Sequence, residues 1–79
     1  MSRMQREAAM REVVQGLVSS LLASGLTRRR VASQLEVSER TIERWQRGQN
    51  MPMAGDLLGL EELAEERLEH QAKRVNGRN

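Results

Sequence analysis

Cysteine, phenylalanine and tyrosine are all absent from this 79-residue chain. Without cysteine there are no disulfides, no zinc–thiolate sites and no thiol nucleophile. Trp45 is the single aromatic residue, and β-branched runs are missing, so a β-sandwich or barrel has little to be built from. One histidine, His70, and one aspartate, Asp56, leave almost nothing for metal ligation or acid–base chemistry. No enzyme, no cofactor and no metal site are expected. No apolar run approaches the roughly 20 residues of a membrane span, and the N-terminal residues mix arginine and glutamate with small side chains rather than forming a signal-peptide block. A cytoplasmic protein with no membrane partner is the expectation. With 38% hydrophobic and 30% charged residues, the composition suits a folded helical domain better than disorder. A core this small is marginal alone. With disulfides and metals excluded, pairing with a second copy is the remaining route to stability.

The net charge is only +2, yet it is unevenly distributed. From residue 27 to 52 six arginines face three glutamates, from 53 to 70 six acids face one arginine, and the last nine residues carry Lys73, Arg74 and Arg78. A basic middle beside an acidic segment gives the molecule one face able to meet an anion.

What is present is helical periodicity. Met10, Val13, Val14, Leu17, Val18, Leu21 and Leu22 recur at three- and four-residue spacing, which predicts a first helix over about 4–24. Gly25-Leu26 reads as its stop, with glycine left-handed and leucine folding back. Gly16, in mid-helix, is either a point of close approach for another helix or simply tolerated. Thr27 and Ser38 are N-cap residues for two short helices, with Leu26/Val31 and Val37/Ile42 placed as hydrophobic staples. Val31, Ala32, Leu35, Val37, Ile42 and Trp45 are the expected core of this 27–47 unit, and Gly48 ends it. After a loop containing Pro52, Asp56 is positioned to cap a last helix over about 56–75, whose apolar stripe is Leu57, Leu60, Ala64, Leu68, Ala72 and Val75 with Leu58 and Leu63 alongside; Leu57, Leu58 and Leu63 are expected to cover the core. The expected fold class is all-α: one domain of four helices over residues 1–79, with a central helix-turn-helix and long first and last helices.

Arg28, Arg29 and Arg30 fall in the first turn of the second helix, where cations oppose the helix dipole by about 0.3–1 kcal/mol each. Phosphate binding explains that placement, because a helix N-terminus attracts anions and arginine grips them bidentately. A solvated charged face is the plainer alternative. With Ile42 and Trp45 turned inward, Ser38, Glu39, Arg40, Thr41 and Arg44 lie along the outer, N-terminal side of the third helix. Arginine suits guanine O6/N7, glutamate suits cytosine N4, and threonine suits the thymine methyl. The competing reading is a ladder of surface pairs, Glu36–Arg40 and Glu43–Arg47, which contribute about 0.2–0.5 kcal/mol each. Arg47 fits both a surface pair and a phosphate contact. Glu62, Glu66 and His70 share a helix face but are read as solvated.

The stretch LTRRRVASQLEVSERTIERWQRGQNMP resembles the helix-turn-helix of the Cro/cI-type (XRE) family of bacterial and phage DNA-binding regulators. The resemblance rests on Leu26-Thr27, Val31-Ala32, Leu35, Val37-Ser38, Thr41-Ile42, Trp45, Gly48 and Pro52, about a third of the chain. Excisionase-like and MerR-like motifs share the V-S-x-R-T core, whereas the Gly48 to Pro52 spacing is closer to Cro/cI. The resemblance implies a lambda-repressor-like fold and a homodimer that binds double-stranded DNA at an inverted repeat in bacterial cytoplasm or nucleoid, acting as a repressor. It places base contacts at Ser38, Glu39, Arg40, Thr41 and Arg44. Phosphate contacts fall at Arg28, with Thr27, Arg29, Arg30 and Arg47 nearby, and at Gln49 and Asn50 in the following loop. The chain departs from the family pattern in having Glu36 where glycine is usual, and a long fourth helix in place of a fourth and fifth. The stripe Leu68, Ala72, Val75 is the expected dimer surface, with Met4, Ala8 and Met10 of the first helix as competitor. An architectural, excisionase-like DNA-binding protein and a helical antiactivator or antitoxin with a protein partner are the alternative classes.

Overall fold

A computed structural model describes the backbone of residues 2–76 and the side chains of residues 2–70. Four helices follow in order: α1 (Arg3–Ala23), α2 (Arg28–Leu35), α3 (Glu39–Gln46) and α4 (Ala54–Asn76). The all-α, four-helix class expected from the sequence is what forms.

Local chemistry sets the ends of the first three helices. Ser2 caps α1 in a reciprocal capping box: Gln5 N–H donates to Ser2 Oγ at 3.2 Å, and Ser2 N–H donates to Gln5 Oε1 at 2.9 Å. Thr27 and Ser38 cap α2 and α3 by accepting from the amides of Arg30 and Thr41, each at 3.1 Å. The same device closes α1, α2 and α3. A left-handed residue follows the helix, and the next amide reaches back to a carbonyl five residues earlier: Leu26 to Leu21, Val37 to Ala32, Gln49 to Arg44. Gly25 (φ 105°) and Gly48 (φ 73°) serve two of these closures, and Glu36 (φ 58°) serves the third.

The core draws on every helix. Val14, Val18 and Leu21 of α1, Val31 and Ala32 of α2, Ile42 and Trp45 of α3 and Leu60 of α4 are buried. Leu17, Leu22, Leu26, Leu35, Val37, Leu57, Leu63 and Ala64 pack around them. The six expected core positions of residues 27–47 are thus all in or against the core. α1 lies against α3 and α4, and α2 against α3 with a lighter contact to α4.

Several details differ from expectation. α4 starts at Ala54, its first turn closed by Leu57 N–H on the Met53 carbonyl. Asp56 is therefore not the cap; it sits in the first turn, where its charge complements the helix dipole. Leu58 is 58% exposed, and Leu60 is the α4 residue that reaches the core centre. Met10 and Val13 are exposed at 39% and 50%: Met10 precedes the first buried residue of α1, and Val13, beside the buried Val14, is turned out of the core. Close approach occurs at Gly59 rather than Gly16. A Cβ at Gly59 would collide with Leu35 Cδ2, whereas nothing lies within 4 Å of one at Gly16. Among the described residues, no helix is long and apolar enough to cross a membrane.

Candidate nucleic-acid interface

The α2–α3 unit is built by a three-residue turn, Glu36-Val37-Ser38, between two eight-residue helices. Burying Ile42 and Trp45 fixes the rotation of α3 about its axis. That rotation leaves Ser38, Glu39, Arg40 and Arg44 exposed and Thr41 half-buried. Arg28, Arg29 and Arg30 are exposed in the first turn of α2, where Thr27 has already satisfied the Arg30 amide. Gln49 and Asn50 are exposed just after the left-handed Gly48.

Not every expected contact residue is equally free. The Ser38 and Thr41 hydroxyls lie 2.9 Å apart in a mutual hydrogen bond, while Ser38 Oγ also accepts from the Thr41 amide. Ser38 is thus first a cap. Glu43 is engaged by two arginines: Arg47 Nη2 stands 2.8 Å from one carboxylate oxygen and Arg28 Nη1 3.9 Å from the other. The expected Glu43–Arg47 pair therefore forms and extends to α2. Among the described residues, no Glu36–Arg40 ion pair forms. Leu22, Arg28, Glu43, Gln46 and Arg47 line an open depression of about 440 Å³ at this junction.

Two positioning contacts had no signal in the sequence. Gln15 Nε2 donates to the Gln46 carbonyl at 3.2 Å, tying α1 to the C-terminal end of α3. Its amide also packs where a Cβ at Gly48 would sit, 3.1 Å from that position. Arg67 of α4 donates from Nε to Ser24 Oγ at 3.1 Å and from Nη2 to the Ser24 carbonyl, so a cation from a distant helix terminates α1. Each partner lies 31 or 43 residues away along the chain.

Of the expected dimer positions, Leu68 is 67% exposed and lines an open groove of about 410 Å³ between α1 and α4, with Leu17, Leu21, Ala23 and Ala64. Ala72 and Val75 lie outside the residues whose side chains are described. Among the described residues, no three His, Asp or Glu side chains gather in a way that could hold a metal ion.

Compared with protein-family models, with curated proteins and with solved structures, the chain matches none of them.

Proposed function

We propose that this chain is a sequence-specific double-stranded-DNA-binding regulator of the Cro/cI type, working as a homodimeric repressor. The supporting observation is the outer face of α3. Its core residues are turned fully inward, and Glu39, Arg40 and Arg44 are left exposed beside the arginine-rich first turn of α2. An eight-residue helix fits the major groove, and these side-chain types match base-edge donors and acceptors. Arg28, Arg29 and Arg30, with Arg47, Gln49 and Asn50, take the phosphates on either side and set the register. Paired copies would place two such helices in successive major grooves about 34 Å apart on an inverted repeat and occlude polymerase.

Selection of bound duplexes from a random DNA library, at near-physiological salt, tests this reading. Enrichment of an inverted repeat with one-turn spacing is the expected result and supplies the operator. Direct repeats or lone half-sites would replace it with an architectural, excisionase-like role. A folded protein that enriches nothing would replace it with a role on a protein partner.

A further inference from the structure

Residues 27–52 carry six arginines and three glutamates, and the fold pairs them selectively. Among the described residues, Arg29, Arg30, Arg40 and Arg44 make no ion pair, and neither do Glu36 and Glu39. All the pairing in this unit falls on one carboxylate, that of Glu43. Arg47, one turn further along at the end of α3, reaches one of its oxygens at 2.8 Å. Arg28, from the first turn of α2, stands 3.9 Å from the other. The three side chains, with Leu22 and Gln46, line the open depression at the α2–α3 junction.

Two guanidinium groups from two helices thus converge on a single oxyanion, one at each of its oxygens. Arginines grip a phosphate through the same charge-assisted contacts. Arg28 also lies at an α2 N-terminus, where the dipole favours an anion over a cation. In the free protein, then, two of the arginines assigned to phosphate are already occupied by an internal anion. The occupation is exchangeable, because all three side chains are partly exposed and such pairs hold weakly. Glu43 itself cannot withdraw. It is half-buried beside Ile42, whose complete burial fixes the face of α3 that the carboxylate occupies. When a duplex takes the arginines, the displaced charge stays at the interface and repels the incoming backbone.

We propose that Glu43 is a built-in competitor of DNA phosphate, which holds Arg28 and Arg47 in the free protein and lowers affinity for every duplex alike. This rests on the DNA-binding reading above and adds to it a residue that opposes binding. The competition is with the backbone and not with base edges, so preference among sequences is left unchanged. Arg40 and Arg44, which Glu43 does not engage, remain free to read bases.

The test is titration of a random-sequence duplex and of the selected duplex over a salt series that begins at low salt. Four proteins are compared: the parent chain, Glu43→Gln, Arg28→Ala/Arg47→Ala, and the triple variant, each verified as folded by circular dichroism. Glu43→Gln binds both duplexes about threefold to tenfold more tightly and steepens the salt slope by about one, opposite in sign to the loss of an arginine. The ratio of the two affinities stays within about twofold of the parent's, since no base contact has changed. Without the two arginines, Glu43→Gln produces less than half that gain on a logarithmic scale. Binding that weakens or stays the same on Glu43→Gln would make the carboxylate a strut that positions the arginines, and overturns the proposal. An undiminished gain in the absence of the arginines also overturns it, by reducing Glu43 to a bare negative charge near DNA. A folded parent chain that binds neither duplex overturns the proposal together with the DNA reading. A parent that binds, with a Glu43→Gln variant no tighter, overturns the proposal alone.

Discussion

Glu36 is the non-glycine residue that adopts positive φ among the described residues, and it does so at the turn between the two short helices. An L-residue there costs roughly 1–2 kcal/mol in left-handed strain, partly offset because glycine loses more entropy on folding. Glu36→Gly is expected to stabilise the fold by about 1 kcal/mol, raising Tm by about 4–8 °C in thermal unfolding. A lowered Tm would mean that the glutamate side chain stabilises the turn by more than its backbone strain costs. The exposed arginines divide by what they would touch. Arg44→Ala is expected to cost about 1–3 kcal/mol on the selected site and to relax base preference. Arg28→Ala is expected to weaken every sequence alike and to reduce the salt slope by about one. Titrations of matched and mismatched duplexes over a salt series separate the two. Identical behaviour of both variants would remove α3 as the reading face.

At the scale of the element, glycine inside a helix has two meanings that differ by environment. Gly16 has open space around it, so Gly16→Ala should gain about 1 kcal/mol in helix propensity. Gly59→Ala gains the same propensity but must push aside Leu35, which packs against the core. Chemical denaturation is expected to show a smaller gain at 59 than at 16, or a loss; an equal gain would mean that Leu35 moves freely. The contrast also shows which features were legible in the chain. Thr27, Ser38, Gly25 and Gly48 act on neighbours three to five residues away, so their roles follow from local spacing, and the helix ends fell within two residues of expectation. Gly59, Gln15 and Arg67 act on residues brought close only by folding, and no local pattern marks them. Periodicity placed Ile42 and Trp45 correctly, because α3 has one narrow apolar face. On α4, leucines at 57, 58, 60 and 63 cover more of the circumference than the core can take. Their spacing put Leu60 on the stripe with Leu58 beside it, but did not show that Leu58 would be left exposed. The face of α3 was readable for the same reason as its core: burying two residues leaves the others no choice of side.

At the scale of the whole molecule, stability is unevenly spread. Residues 3–12 of α1 are helical, yet all of them are exposed, so that segment is held by its capping box and by continuity with the packed half. Its amides are expected to exchange hydrogen much faster than those of residues 14–22. Exchange followed by mass spectrometry reads this directly; equal protection along α1 would show that the segment is covered. The arrangement of the core also governs when folding can occur. Val14, Val18 and Leu21 are made well before Leu60 of α4, which joins them in the one core. A nascent chain stopped anywhere before α4 can form its caps and its short helices. It still has an unsealed core and an α1 terminus lacking the guanidinium of Arg67. Until α4 emerges, the apolar side of α1 stays open to chaperones and proteases, and these four helices become resistant to both in one step, when α4 docks.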